Sequence, residues 1–265
     1  MNIYSWFVRG EEHAAMCRTS IASVRKVDPE SRCIVVSDEQ RPKWEVEAIR
    51  MECDTGPIML ANLEAQVNAM GYAMGHKARK ITFLDTDTIF LKPFECAGVV
   101  DFTWRDSIGN DNDGEPIEGI AARMPYNYGV VGAKPSLSAL ECFIWMRERI
   151  RNMHETHQQW YGNQLAAVEL AGKRPDSGIT VEVRQLPWKL TSLGRKITIG
   201  KLPCAVYNYT PQKVGEDVSQ KAVLHFKGKK RALMGHYAVA LGLPWDLPLA
   251  PIEQERPPLA LVNVV

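Results

Sequence analysis

The chain lacks most of the features that would place it in a specialised class. None of its six cysteines forms a CxxC pair, and the spacing of Cys17, Cys33, Cys53, Cys96, Cys142 and Cys204 is wide. Zinc-ribbon and c-type haem sites are therefore excluded, and buried reduced thiols are expected. No apolar run approaches the ~20 residues of a membrane span. The N-terminal "MNIYSWFVRGEEH" has no basic segment leading into a long apolar one, so no secretory signal is expected. A reducing, cytoplasmic setting is the expectation that follows. Charge of one sign is also missing: the formal net charge is +1, which gives no global grip on nucleic acid. There is no internal repeat, and no G-x-G loop follows the first apolar segment.

What is present is ordinary globular sequence, 265 residues with 45% hydrophobic and 24% charged, enough to bury a large core. "NIYSWFV" reads as a strand and 11–27 as a helix that Asp28-Pro29-Glu30 breaks. "RCIVVSDE" has the continuous apolar look of a buried parallel strand. "EVEAIRM" is a weaker strand, 58–75 a helix stopped near Gly75, and "KITFLDTDTIFL" a further strand. Strand, helix, strand, helix, strand is the pattern of a doubly wound α/β sheet. Further on, "ARMPYNYGVVGAKPS" is strand-like, "SLSALECFIWMRERIRNM" is an amphipathic helix capped by Ser136 or Ser138, and "QQWYGNQLAAVELAG" is another helix. "TVEVRQLPW", "ITIGKLPCAVYNY" and "KAVLHFKG" are later strands. One domain over 1–240 and a proline-rich tail over 241–265 are expected.

The chemistry concentrates in "FLDTDTIFL". In a strand, residues i and i+2 share a face. Asp85 and Asp87 therefore converge if the strand is ending there, and open α/β sheets bind ligands at the carboxyl ends of their strands. Two such carboxylates repel unless a cation lies beside them, and hard oxygen ligands suit Mg²⁺ or Mn²⁺. The competing reading is a solvated turn, because Asp and Thr both cap backbone groups. The buried-looking flanks favour a site.

This segment resembles the DxD motif of the GT-A fold glycosyltransferases, which use nucleotide-sugar donors. Three more segments occur in that family's order. "YNYGVVGAKPS" resembles the N-x-G strand bordering the donor sugar, with Asn127 and Gly129 in the matching places. "WYGNQLAAVEL" resembles the helix beside the acceptor, with Asn163-Gln164 where the family has Asp-Gln. "HFKGKKR" resembles the HxxGxxK segment of retaining family 8, matched by His225, Gly228 and Arg231. The resemblance covers roughly the first 235 residues.

It implies a GT-A, Rossmann-like α/β fold, a mixed central sheet flanked by helices. It further implies Mn²⁺ or Mg²⁺ on Asp85, Asp87 and His225, and a UDP-sugar donor contacted by Asp85, Thr86, Asp87, Asn127, Gly129, Gly228, Lys230 and Arg231. Asn163 and Gln164 would sit at the reacting centre. The implied activity is transfer of the sugar, with retention, to a hydroxyl on a glycan, protein, small molecule or modified nucleic acid. A nucleotide-sugar-binding protein without activity and a nucleotidyltransferase are the alternatives. Phe7 and Arg9 occupy the place of the family's nucleotide contact on the first strand. Trp160 and Tyr161 are expected in the core, with stacking on a sugar as the functional alternative. The acidic loop 106–118 reads as a lid or acceptor loop.

Overall fold

The computed structural model describes residues 1–39, 48–105, 125–171, 180–183, 197–249 and 251. The first strand, β1 (Asn2–Phe7), buries Ile3, Tyr4 and Trp6, which point to both faces. A strand with no solvated face needs parallel neighbours and cover on either side. It lies between β2 (Arg32–Ser37) and β4 (Lys80–Leu84), parallel to both. β3 (Ile49–Glu52) adds a fourth parallel strand beside β2. Beyond β4, β7 (Tyr126–Ala133) runs antiparallel, then come β6 (Val100–Trp104), β9 (Ile197–Pro203) and β8 (Thr180–Val183). The eight-stranded order is β3-β2-β1-β4-β7-β6-β9-β8.

Helices cover both faces. α1 (Glu11–Val27) carries Glu11 and Glu12 in its first turn and Arg25 and Lys26 in its last, which suits its dipole. Its apolar side packs with Tyr4, Trp6, Val35 and Leu84. On the other face, α2 (Ile58–Gly75), α3 (Leu137–Arg151) and α5 (Gly162–Ala171) enclose Ile3, Ile34, Phe83, Phe102 and Val131. The α3 start is fixed by Ser136, whose hydroxyl accepts from the Ala139 amide at 3.2 Å, a cap worth about 1 kcal/mol.

Three expected elements differ. The single strand expected over 80–91 is two, β4 and β5 (Thr88–Phe90), and they belong to different sheets: β5 pairs antiparallel with β10 (Val223–His225). The strand expected over 197–209 ends at Pro203, and α6 (Cys204–Tyr207) follows. The helix expected over 158–172 is broken into α4 (Glu155–Gln159) and α5. There Tyr161 takes a left-handed φ of 63°, and a Cβ on Gly162 would meet the His157 carbonyl oxygen at 2.2 Å. The chain must turn sharply at that point, which a continuous helix cannot do. Loop 106–118 and residues 252–265 of the tail lie outside the described residues. The start of the tail docks: Leu243 is buried, Thr19 donates to the Pro244 carbonyl at 2.6 Å, and Arg18 pairs with Asp246 at 2.8 Å. All six cysteines are free thiols, buried except for half-buried Cys53. No helix among the described residues is long and apolar enough to cross a membrane.

Candidate metal centre

Asp85 and Asp87 occupy the turn by which the chain leaves the large sheet at the end of β4 and enters the small one at β5. They converge because of that turn, which replaces the strand alternation expected from the sequence. The turn is clamped at each end. The Asp85 amide donates to the Gly129 carbonyl at 2.9 Å, and the Thr88 hydroxyl donates back to the Asp85 carbonyl at 2.8 Å. The Phe226 amide donates to the Asp87 carbonyl at 2.9 Å. This last bond, and the pairing of His225 with Thr88, bring His225 onto the same spot.

One ligand atom from each of Asp85, Asp87 and His225 lies within 4.8 Å of the others. His225 Nε2 is 3.1 Å from Asp87 Oδ1 and 3.5 Å from Asp85 Oδ2. Two carboxylate oxygens and an imidazole nitrogen form a donor set suited to Mn²⁺ or Mg²⁺. Asp87 and His225 are buried, whereas the Asp85 side chain is 44% exposed at the rim. The cluster is therefore open to solvent on the Asp85 side.

The two carboxylates differ in acidity. Although its rim is open, Asp85 is packed by protein on its inner side, and this loss of water pushes its carboxyl up to about 6; His225 opposes the shift and the Asp87 charge adds to it. Burial disfavours the Asp87 charge as well, but His225 and Arg231 outweigh it and hold Asp87 well below the usual carboxylate range. Arg231 Nε donates to Asp87 Oδ2 at 2.8 Å.

Gly129 sits under the cluster. A Cβ there would lie 2.2 Å from His225 Cε1 and 3.0 Å from Asp85 Oδ2. Its amide donates to Asn127 Oδ1 at 3.0 Å. Of the two expected residues of the N-x-G segment, Gly129 lies against His225 and Asp85, whereas the described contacts of Asn127 are to the Gly129 amide and the Thr103 hydroxyl. Thr86 is buried, and its hydroxyl lies 2.8 Å from His13 Nδ1. Gly228 has a left-handed φ of 51° and open space around it, at the head of a short 3-10 turn, Gly228–Lys230, before α7 (Arg231–Ala240). Lys230 Nζ donates to the Gln212 carbonyl at 3.0 Å. At the start of α5, Asn163 is buried and its Oδ1 accepts from the Gln164 amide at 2.8 Å. Gln164 Oε1 is buried with no partner among the described residues. Trp160, expected in the core, is 57% exposed and meets Tyr161 edge-on. Arg9 pairs with buried Asp38 and donates to the Gly56 carbonyl at 2.8 Å. Beside that pair, a cleft of about 300 Å³ opens between the ends of β2 and β3.

Sequence reasoning missed His13, Asn208 and Thr103. His225 Nδ1 lies 2.7 Å from Asn208 Oδ1, and Asn208 Nδ2 donates to Thr103 Oγ1 at 2.7 Å. A signal for Asn208 was available: a lone amide in the apolar run "LPCAVYN", leading into the strand pairings around His225.

No family model matches the sequence, and no curated protein matches it significantly. Among solved structures, the crystal structure of a glycosyltransferase involved in the glycosylation of the major capsid of PBCV-1 is similar, with a TM-score of 0.53. The superposition covers 91% of this chain and 98% of that one, at 12% identity. At that identity the likeness is one of fold. The chain therefore has the α/β fold of the GT-A class, a mixed sheet between helices, with an Asp-Asp-His cluster beyond the carboxyl end of β4.

Proposed function

We propose that the protein is a metal-dependent glycosyltransferase. It takes a nucleotide diphosphate sugar, of the UDP-sugar class, as donor and a hydroxyl as acceptor. The observation that carries this reading is the convergence of Asp85, Asp87 and His225 at the edge of a sheet whose fold is shared with a glycosyltransferase. These three residues would hold Mn²⁺ or Mg²⁺. When bound, such a cation neutralises charge on the departing diphosphate.

The chain's own part is to position and to complement charge. Arg231, half-buried beside Asp87, presents a planar cation to phosphate oxygens. Gly228, in its left-handed conformation, frees backbone amides at the same turn for the diphosphate. Lys230 stiffens that turn through Gln212. Gln164, with its unpartnered buried oxygen, takes a sugar hydroxyl, and Asn163 orients it from the preceding position. Fixed donors of this kind stabilise developing charge without reorganising, usually a large share of catalysis. The third ligand, His225, aligns the site with retaining family 8, and retention of configuration is proposed on that analogy.

The test is hydrolysis of UDP-sugars by the purified protein, with Mn²⁺ and with EDTA, because transferases leak donor to water when the acceptor is absent. Metal-dependent release of UDP supports the reading. Metal-dependent UDP binding with no turnover on any donor favours the second reading, a nucleotide-sugar-binding protein on the same scaffold. Asn163 is the feature in favour of that second reading, since it supplies an amide where the resembling family has a carboxylate.

A further inference from the structure

We infer that Thr103 and Asn208 are positioning residues that hold a proton on His225 Nδ1, so that Nε2 is the ring atom offered to a cation beside Asp85 and Asp87. The geometry stands by itself, and its consequence for a cation rests on the metal-site reading above.

The argument starts from a group that cannot change its role. The Asn127 main-chain oxygen can only accept, and the Thr103 hydroxyl donates to it. A hydroxyl has one proton. Toward Asn208, Thr103 Oγ1 is therefore an acceptor, and the amide must present Nδ2, as it does at 2.7 Å. This fixes the orientation of the Asn208 side chain: Oδ1 faces His225 Nδ1 at 2.7 Å. An acceptor at that distance requires a proton on Nδ1. With Nδ1 committed to Asn208, Nε2 is the ring atom turned to the carboxylates, 3.1 Å from Asp87 Oδ1 and 3.5 Å from Asp85 Oδ2, where it donates to Asp87 and where a bound cation would take the place of that proton. Reversing the amide would aim an N–H at Nδ1 and keep the ring proton on Nε2; a cation could then bind Nε2 only by setting a protonated Nδ1 against that N–H.

Two features keep the relay in place. Thr103 and Asn208 are fully buried, with Asn127 at 4% and His225 at 4% exposure, so bulk water has little access to replace a lost partner. Thr103 is aimed by an irregularity in the β6–β7 ladder. Phe102 pairs with Val131 but Thr103 pairs with Asn127, so residues 128–130 bulge away from β6. The bulge supplies Gly129, whose carbonyl holds the Asp85 amide and whose missing Cβ makes room for the His225 ring. One stretch of β7 thus sets both the Asp85 backbone and, through Thr103 and Asn208, the proton on His225 Nδ1. Histidine ligands are commonly held in this way by an acceptor on the far nitrogen, and losing it typically costs 10–100-fold in metal affinity.

The test has two arms. The first is ¹⁵N NMR of the metal-free protein labelled at histidine, with His225 assigned from a His225→Gln variant. A proton on Nδ1 is the expected result, and an unprotonated Nδ1 overturns the inference. The second is the Mn²⁺ dissociation constant, followed by the electron paramagnetic resonance of free Mn²⁺. Thr103→Val removes the link and should weaken binding about 10- to 100-fold, whereas Thr103→Ser, which keeps the hydroxyl, should bind as the wild type does. Equal affinities in wild type and Thr103→Val overturn the inference while leaving the metal site standing. If the wild type binds no Mn²⁺, the metal-site reading falls, and the ¹⁵N spectrum still decides whether Nδ1 carries the proton.

Discussion

Arg231 donates to Asp87 at 2.8 Å, so the cation proposed to grip a diphosphate rests on a carboxylate proposed to hold a metal. The two roles make opposite demands. Arg231 keeps Asp87 ionised, as a ligand must be, yet its positive charge repels a second cation nearby.

Replacing Arg231 with Met separates these effects. Mn²⁺ alone should bind at least as tightly as in the wild type, because the repulsion is gone. UDP affinity in the presence of Mn²⁺ should fall about tenfold or more, the scale of one charged hydrogen bond. Titrations of the metal and of the nucleotide, run separately, check the pair of outcomes. A parallel fall in both would mean that Arg231 serves only the carboxylate.

Gly129→Ala should damage the centre from below. The added methyl would lie 2.2 Å from His225 Cε1 and 2.3 Å from Nδ1, and the ring is buried with nowhere to move. Overpacking of this kind costs about 1–3 kcal/mol. The expected outcome is a lower melting temperature together with weakened Mn²⁺ binding. A variant that loses stability and binds Mn²⁺ normally would show that the His225 ring can relocate without cost to the site.

Metal binding should weaken in acid, in a window set by Asp85. Its carboxyl is raised to about 6, so below that pH a proton competes with the ion. The sign for stability follows. A carboxyl raised in the folded state costs stability as pH climbs from the usual carboxylate range through about 6, and a bound cation removes that cost. Asp87, held low, contributes stability above the ordinary carboxylate range and changes nothing between pH 5 and 7.5. The gain in melting temperature from Mn²⁺ should therefore grow from pH 5 to pH 7 and then level off. A gain independent of pH over that range would remove Asp85 from the ligand set.

The sequence showed the site better than it showed the geometry that builds it. Asp85 and Asp87 stood out because paired carboxylates interrupted an apolar run, which needs only local pattern. His225 was singled out through the resemblance of "HFKGKKR" to a family motif. The turn between β4 and β5 was not legible, since the apolar residues on either side, Phe83, Leu84, Ile89 and Phe90, look alike whether they fill one sheet or two. Asn127 and Gly129 were singled out from the N-x-G resemblance, and Gly129 lies against the His225 ring. Their contacts were not legible, because a hydrogen bond to a neighbour's amide and the space left by a missing Cβ depend on a β-bulge. Thr103 and Asn208 lie 105 residues apart in sequence, and only the pairing of distant strands brings them to His225.

The most direct measurement is a thermal-shift comparison of the wild type and Asp87→Asn with UDP, GDP and TDP, each in Mn²⁺ and in EDTA. A ligand confined to the native state stabilises it by about 2.7 kcal/mol at a hundredfold excess over its Kd. The account predicts such a shift for UDP in Mn²⁺ with the wild type, none in EDTA, and none for Asp87→Asn under either condition. An equal UDP shift in Mn²⁺ and EDTA, or the same shift in Asp87→Asn, would contradict a metal centre on Asp85, Asp87 and His225.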